Sequence, residues 1–240
     1  MKLLAFDTST EVMHIAVQHG AQVFTHLGAG GAHTSSTLIP AILGLLQQAG
    51  LQLNQLDAIA FGRGPGAFTG LRTACAVAQG LAFAAGVKLL PIDTLMALAE
   101  EARHSHSHSH SHGTVQQPSI VCAALDARMG EVYTAHYVFN SYLCSISLGH
   151  SLKTPSNITL QGPADGILLA GNIRPACDAQ LSAAVLAAPY LACLPTATAL
   201  LRLAPQLIAQ GGLVDAQDAL PLYVRDKVAQ TTAEREALSP

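Results

Sequence analysis

The segment Phe61-Gly62-Arg63-Gly64-Pro65-Gly66-Ala67-Phe68-Thr69-Gly70-Leu71-Arg72 sets a glycine-rich turn between two arginines. Free amides at a helix N-terminus, with cations beside them, can hold a phosphate or a carboxylate. No Gly-Lys-Ser/Thr follows the glycines, so the segment is not a P-loop. The same glycines equally suit a tight strand-to-helix turn with unusual backbone angles, and Gly-Pro-Gly on its own favours that structural role. Upstream, Asp7-Thr8-Ser9-Thr10 follows an apolar run. A strand-end aspartate can sit near metal-bound phosphates, but Asp-Thr-Ser in this setting more often bonds its own backbone. Asp7, Thr8, Ser9, Gly64, Pro65, Gly66 and Arg72 are therefore the candidates for a vestigial nucleotide or anion site.

Other chemistry is sparse. Arg103 to Gly113 encloses an alternating Ser-His tract with five histidines. Clustered imidazoles chelate divalent ions, but a site needs carboxylates and packing to hold its ligands, and this tract offers neither. It is expected to be a disordered loop with only adventitious metal affinity. His14, His19, His26, His33, His136 and His150 are scattered, with His33 closest to a helix start. No His-Glu-x-x-His or Gly-x-Ser-x-Gly occurs. The five cysteines are odd in number, widely spaced and mostly set among apolar residues, as expected of buried free thiols. No catalytic set and no metal site emerges.

The elements that must position these residues follow from the apolar pattern. Short runs at Leu3–Phe6, Val12–Val17 and Gln22–Leu27 predict an antiparallel meander. A helix capped by Ser35 or Ser36 and running to Gln48, a strand at Ala58–Gly62, a helix over Thr69–Ala84 and a strand at Lys88–Ile92 complete a β-β-β-α-β-α-β order. After a helical piece at Thr94–Arg103, runs at Ile120–Leu125, Val132–Tyr137 and Leu143–Leu148 begin a similar order, and Asp126 ends its first strand as Asp7 ends the other. A later strand at Gly166–Ala170 and helix at Thr196–Gln210 belong to that half. The expected fold is α/β, a duplicated ribonuclease-H-like, actin-like arrangement in two lobes. The lobes are placed at 1–103 and 119–240 with the Ser-His linker at 104–118, and a return of the last helix to the first lobe is left open.

The 240 residues are 50% apolar and 11% charged, without Trp, at a mean hydropathy of +0.35. A membrane span needs roughly 20 unbroken apolar residues, and Pro189 and Pro195 break the nearest approach, Ala179–Leu201. The N-terminal apolar run ends at Asp7, too short for a signal-peptide core; a cytoplasmic location is expected, with no membrane partner. With 12 Lys+Arg against 15 Asp+Glu, the chain has no basic run to track nucleic acid. A greasy composition in a chain that does not span a membrane suggests a docking surface. Two helices could supply it. On Ser36–Gln48, Leu38, Ile42 and Leu45 form one stripe and Ile39, Leu43 and Leu46 another, while Thr69–Ala84 is rich in alanine. Periodicity leaves two options open: packing by the second half of the chain, or a bundle with another molecule.

Met1–Ser9, Leu56–Arg72, Val77–Phe83, Asp126–Tyr133 and Pro221-Leu222-Tyr223-Val224-Arg225 together resemble the bacterial TsaB (YeaZ) family over nearly the whole chain. The resemblance implies a two-lobed actin-like fold and a place in the machinery that makes threonylcarbamoyladenosine beside the anticodon of tRNAs reading codons that begin with A. It implies a non-catalytic scaffold that binds and stabilises its paralogue TsaD, helps recruit the ATPase TsaE, meets tRNA through the complex, and forms a homodimer when TsaD is absent. No intrinsic cofactor is implied, with ATP or ADP a ligand of the assembled complex. The paralogue's metal-binding His-x-x-x-His falls by position near Pro91–Ala99, which has no histidine here. The interface residues assigned on this basis are Leu38, Ile39, Ile42, Leu45, Leu46, Ala74, Ala78, Leu81 and Ala82. The alternative is an active actin-like-fold enzyme: an ATPase, a transferase or a metallopeptidase.

Overall fold

The computed structural model describes residues 1–109, 120–140, 143–162 and 166–225. Strands β1 (Lys2–Asp7), β2 (Val12–His19) and β3 (Gln22–Ala29) form the meander. Helix α1 (Thr34–Gln48) leads to β4 (Ala58–Gly64), and α2 (Phe68–Ala85) to β5 (Leu89–Asp93). The sheet order is β3-β2-β1-β4-β5, antiparallel through the meander and parallel across β1, β4 and β5.

Helix α3 (Thr94–Ser109) then leads to the second half: β6 (Ile120–Arg128), β7 (Glu131–Asn140), β8 (Leu143–Lys153), β9 (Ile167–Gly171), the five-residue helices α4 (Ile173–Cys177) and α5 (Ala183–Ala187), β10 (Tyr190–Ala192) and α6 (Ala197–Ala209). Its order, β10-β9-β6-β7-β8, is the first sheet's order traced from the opposite edge. The pairings also correspond, antiparallel for β6–β7 and β7–β8, parallel for β6–β9 and β9–β10. The duplication expected from the strand pattern is present in strand order and in the sense of every pairing.

Helices α3 and α6 join the halves. Their buried faces, including Leu95, Leu98, Leu200 and Leu203, share one core with Leu3, Ala5 and Ala60 of the first sheet and Val121, Ala123 and Tyr137 of the second. Small alanines on the facing strands let the helices approach closely. The other face of the first sheet packs Leu4, Phe6, Ile15, Ile59 and Phe61 against α1 and α2. The last described helix therefore covers the first lobe's sheet from within the second half's sequence.

Two expectations need correction. Helix α1 starts at Thr34, and neither Ser35 nor Ser36 caps it; Ser36 and Thr37 instead donate hydroxyl hydrogen bonds back to the His33 carbonyl. The Ser-His tract begins as helix, since α3 continues to Ser109 and Ser107 Oγ donates to the Arg103 carbonyl, satisfying its hydroxyl within the helix. The remainder of the expected 104–118 loop lies outside the described residues, apart from that helical start. Between Gly171 and Ala197, where the sequence pattern leaves helix positions unclear, the structure places the short α4, α5 and β10, with Ser182 Oγ accepting from the Val185 amide at the start of α5.

Candidate functional site

Asp7 ends β1 almost fully buried. Its Oδ1 accepts from Ser9 N at 2.8 Å and Ser9 Oγ at 2.5 Å, and its Oδ2 from Thr94 Oγ1 at 3.2 Å. Burial pushes the carboxyl's pKa up, against the Ser9 and Thr94 hydrogen bonds and the nearby His14 charge, which pull it down. Gly62 closes the seal: a Cβ there would lie 1.8 Å from Asp7 Oδ2. The carboxylate holds the β1 turn and faces no open space that a phosphate could enter.

The glycine-rich segment has a packing role of the same kind. A Cβ on Gly66 would meet Ser9 Cβ at 2.6 Å, and one on Gly70 would meet the Thr8 carbonyl oxygen at 1.9 Å. Thr8 Oγ1 donates to the Gly70 carbonyl, and the Ala67 amide, at the α2 N-terminus, donates to the Ser9 carbonyl at 2.8 Å. The Ala67 amide, one of the groups that could cradle an anion, is thus spent on the neighbouring turn. Arg72 lies outside, its guanidinium 3.8 Å over the Phe68 ring and its Nε donating to Tyr223 Oη at 3.0 Å.

A cleft of about 380 Å³ opens between the halves. Ser9, Pro65 and Gly66 line it; Asp7, Thr8, Gly64 and Arg72 do not, which corrects the candidate set. Its other walls are Asp126, Arg128 and Asn172 from the second half, Glu11 and Phe68 from the first, and Leu222 to Arg225. Asp126 Oδ1 accepts from Arg128 N, and Asn172 Oδ1 accepts from Asp126 N. The hairpin tip after Asp126 is strained, with Arg128 and Met129 both at positive φ (63° and 56°). The strand-end position shared with Asp7 was the one sequence signal for Asp126. Nothing local in the sequence marks Asn172, and Arg225 enters only as the last residue of the Pro221–Arg225 segment that carries the resemblance.

Among the described residues no group of three or more His, Cys, Asp or Glu could hold a metal. The Pro91–Ala99 stretch carries Asp93, whose Oδ1 accepts from Leu95 N at 2.9 Å and whose Oδ2 accepts from Tyr137 Oη at 2.6 Å and contacts His150 Nε2. This polar contact ties β5 to β7 and β8. Burial pushes the thiols of Cys122, Cys144 and Cys193 up to about 12, so they remain protonated and unreactive at neutral pH. His33 is exposed and contributes its backbone carbonyl to α1.

The helix pair presents the other candidate surface. Leu38, Ile42, Leu45 and Leu46 of α1 and Ala74, Ala78 and Ala82 of α2 are buried in the chain's own core, so they cannot be partner contacts as expected. The alanines let α2 settle onto β4, and the Leu38–Ile42–Leu45 stripe faces the sheet. The outer ridge is a different set: Ile39 at 40% and Leu43 at 49% exposure on α1 and Phe83 at 86% on α2, while Leu81 is half-buried against the core.

Two sheets of matching order around a shared core, with a cleft between them, define the class: a duplicated ribonuclease-H-like, actin-like α/β fold in two lobes. The profile described as "TsaD: tRNA N6-adenosine threonylcarbamoyltransferase" matches residues 28–231. The solved structure of YeaZ from Pseudomonas aeruginosa is 35% identical, covering 92% of this chain and 99% of that one at a TM-score of 0.81. The tRNA threonylcarbamoyladenosine biosynthesis protein TsaB of Escherichia coli is 29% identical, over 95% of this chain and 96% of that protein. TsaB of Haemophilus influenzae is 43% identical over 140 residues, which span 54% of its length. The chain belongs to the TsaB/YeaZ family.

Proposed function

We propose that this chain acts in threonylcarbamoyladenosine biosynthesis on tRNA as a non-catalytic scaffold, through the outer ridge of α1 and α2. The carrying observation is the exposure of Ile39, Leu43 and Phe83 on adjacent helices whose opposite faces are already buried. Large apolar side chains clustered on helices favour helix-to-helix docking. TsaD is the partner that the relatives' names and the matching profile support. The same ridge would pair two copies of this chain when TsaD is absent. TsaE and tRNA join at the complex, with any ATP or ADP held there, and the work is done in the cytoplasm. The sealed Asp7 and the Ala67 amide spent on the Ser9 carbonyl favour this reading over an ATPase, transferase or metallopeptidase.

Co-purification with TsaD tests it. Leu43→Glu and Phe83→Glu should abolish the complex while leaving the far-UV CD spectrum and melting temperature close to wild type, because both side chains point to solvent. Retained binding would overturn the choice of ridge. Separately, ATP hydrolysis or tRNA modification by the purified chain alone, lost in Asp7→Asn, would overturn the non-catalytic role.

A further inference from the structure

The chain after α6 runs along the first half and then crosses to the second. Val214 pairs with Leu89, and Cys75 Sγ and Gln79 Nε2 both donate to the Ala219 carbonyl. The Leu222 amide donates to the Arg63 carbonyl at 2.7 Å, and Tyr223 Oη accepts from Arg72. Gly64 makes this approach possible, since a Cβ there would lie 2.6 Å from the Leu222 carbonyl oxygen at a φ of +117°. Three residues later the partner changes. Arg225 Nη2 donates to the carbonyls of Ala127 (3.0 Å) and Arg128 (3.3 Å) and pairs with Glu131 at 2.6 Å, while Nη1 reaches Met129 Sδ.

We infer that Pro221–Arg225 is a strap that locks the two halves at one opening angle across the cleft. The shared core of α3 and α6 already joins the halves beneath the cleft, where Leu125 and Tyr133 belong to both core and lining. A two-lobed molecule hinges only if one side of its cleft is free to part. Here the strap binds the other side, and its four residues from Leu222 to Arg225 span at most about 14 Å of backbone. Opening must break either the Leu222–Arg63 bond or the Arg225 cluster. The bonds at Arg225 are charge-assisted and the guanidinium is largely buried, which makes them strong. The strained Arg128–Met129 tip presents the Arg128 carbonyl that accepts from Arg225, so the receiving end is built for this contact.

Hydrogen exchange on the full-length chain tests the lock, because a strap couples its ends and a local contact does not. Leu222→Pro removes the amide donor at the first-half end, together with the leucine side chain; it should raise exchange at least tenfold in the second-half hairpin 125–131. Arg225→Ala should do the same at 64–71 in the first half. Effects confined to each variant's own end would overturn the inference. If either variant loses its fold by CD, Glu131→Gln, which weakens the Arg225 pair without removing packing, should raise exchange two- to threefold at 64–71; wild-type exchange there would overturn the inference equally.

Discussion

The two halves share a strand order but differ in how they cross between parallel strands. The first uses helices of 15 and 18 residues; among the described residues the second uses 3-10 turns at Pro155–Asn157 and Asp178–Gln180 and two helices of five residues each. Strand pairing is what a duplicated sheet must keep, because slipping the register by one residue would turn every core side chain outward. The crossovers are free to diverge. In the first half they grew broad enough to bury one face and offer another, so that is where a partner surface could arise. The first-strand aspartates diverge in the same way. Asp7 is sealed under Gly62, while Asp126 stays at the cleft wall.

The glycines facing these first strands should give the largest effects and separate the halves. A Cβ on Gly171 would lie 1.7 Å from the Ala124 carbonyl oxygen at a φ of +144°, so the obstacle is backbone. At Gly62 it is the Asp7 side chain. Gly171→Ala and Gly62→Ala should each abolish soluble expression, but Asp7→Ala should partly rescue only Gly62→Ala, as measured by recovered soluble protein and melting temperature.

Next comes α1, where neighbouring positions should behave oppositely. Leu38→Glu buries a charge in the core and should cost about 3–5 kcal/mol of stability in denaturant melts, whereas Leu43→Glu should cost under about 0.5 kcal/mol. The counterpart in the second half, Leu186→Glu on the exposed side of α5, should leave TsaD co-purification intact. Loss of binding there would break the contrast between the halves.

Two smaller effects depend on pH and differ in sign. His136, on β7, is 2% exposed, with no well-formed hydrogen bond to either ring nitrogen and only a backbone approach from Thr159. Burial, then the Lys153 charge, lowers its pKa, so the unfolded chain takes a proton that the folded one resists. Its contribution is present above about pH 6.5 and is lost as pH falls through the folded value. His136→Leu should reduce that acid-side loss, seen as a smaller drop in melting temperature between pH 8 and pH 5. Asp7 runs the other way. With its pKa raised, its favourable contribution is complete below the unfolded value of 3.8 and is lost as pH rises through the folded value. Asp7→Asn should flatten that decline, while Asp126→Asn should shift stability by less than about 1 kcal/mol.

Much of this architecture was legible in the chain. The β1–β3 and β6–β8 runs stand out because each strand is short, apolar and bounded by turn residues, and α2 because it follows a glycine turn and ends at Gly86, which takes the left-handed cap conformation. The orientation of α1 was not legible. Leucines and isoleucines occupy both of its stripes, so no periodicity could say that Leu38 and Ile42 face the sheet while Ile39 and Leu43 face out. The alanines of α2 pointed to close approach, but the element approached was β4 of the same chain. Phe83, the most exposed large side chain of the pair, stands alone in an alanine-rich helix, so no period marks which way it faces. The cleft walls were hidden for another reason: Asn172 meets Asp126, and Arg225 meets Ala127, Arg128 and Glu131, only through the tertiary fold.

The placement of α6 has a consequence for synthesis of the chain. The first sheet emerges from the ribosome with Leu3, Ala5, Ala16, Ala58 and Ala60 on a face that α6 covers, and α6 does not end until Ala209. Co-translational folding normally proceeds domain by domain from the N-terminus. Here the first lobe must wait, apolar and half-covered, for more than a hundred residues of later chain, so nascent chains stalled before α6 are the species that chaperones should hold.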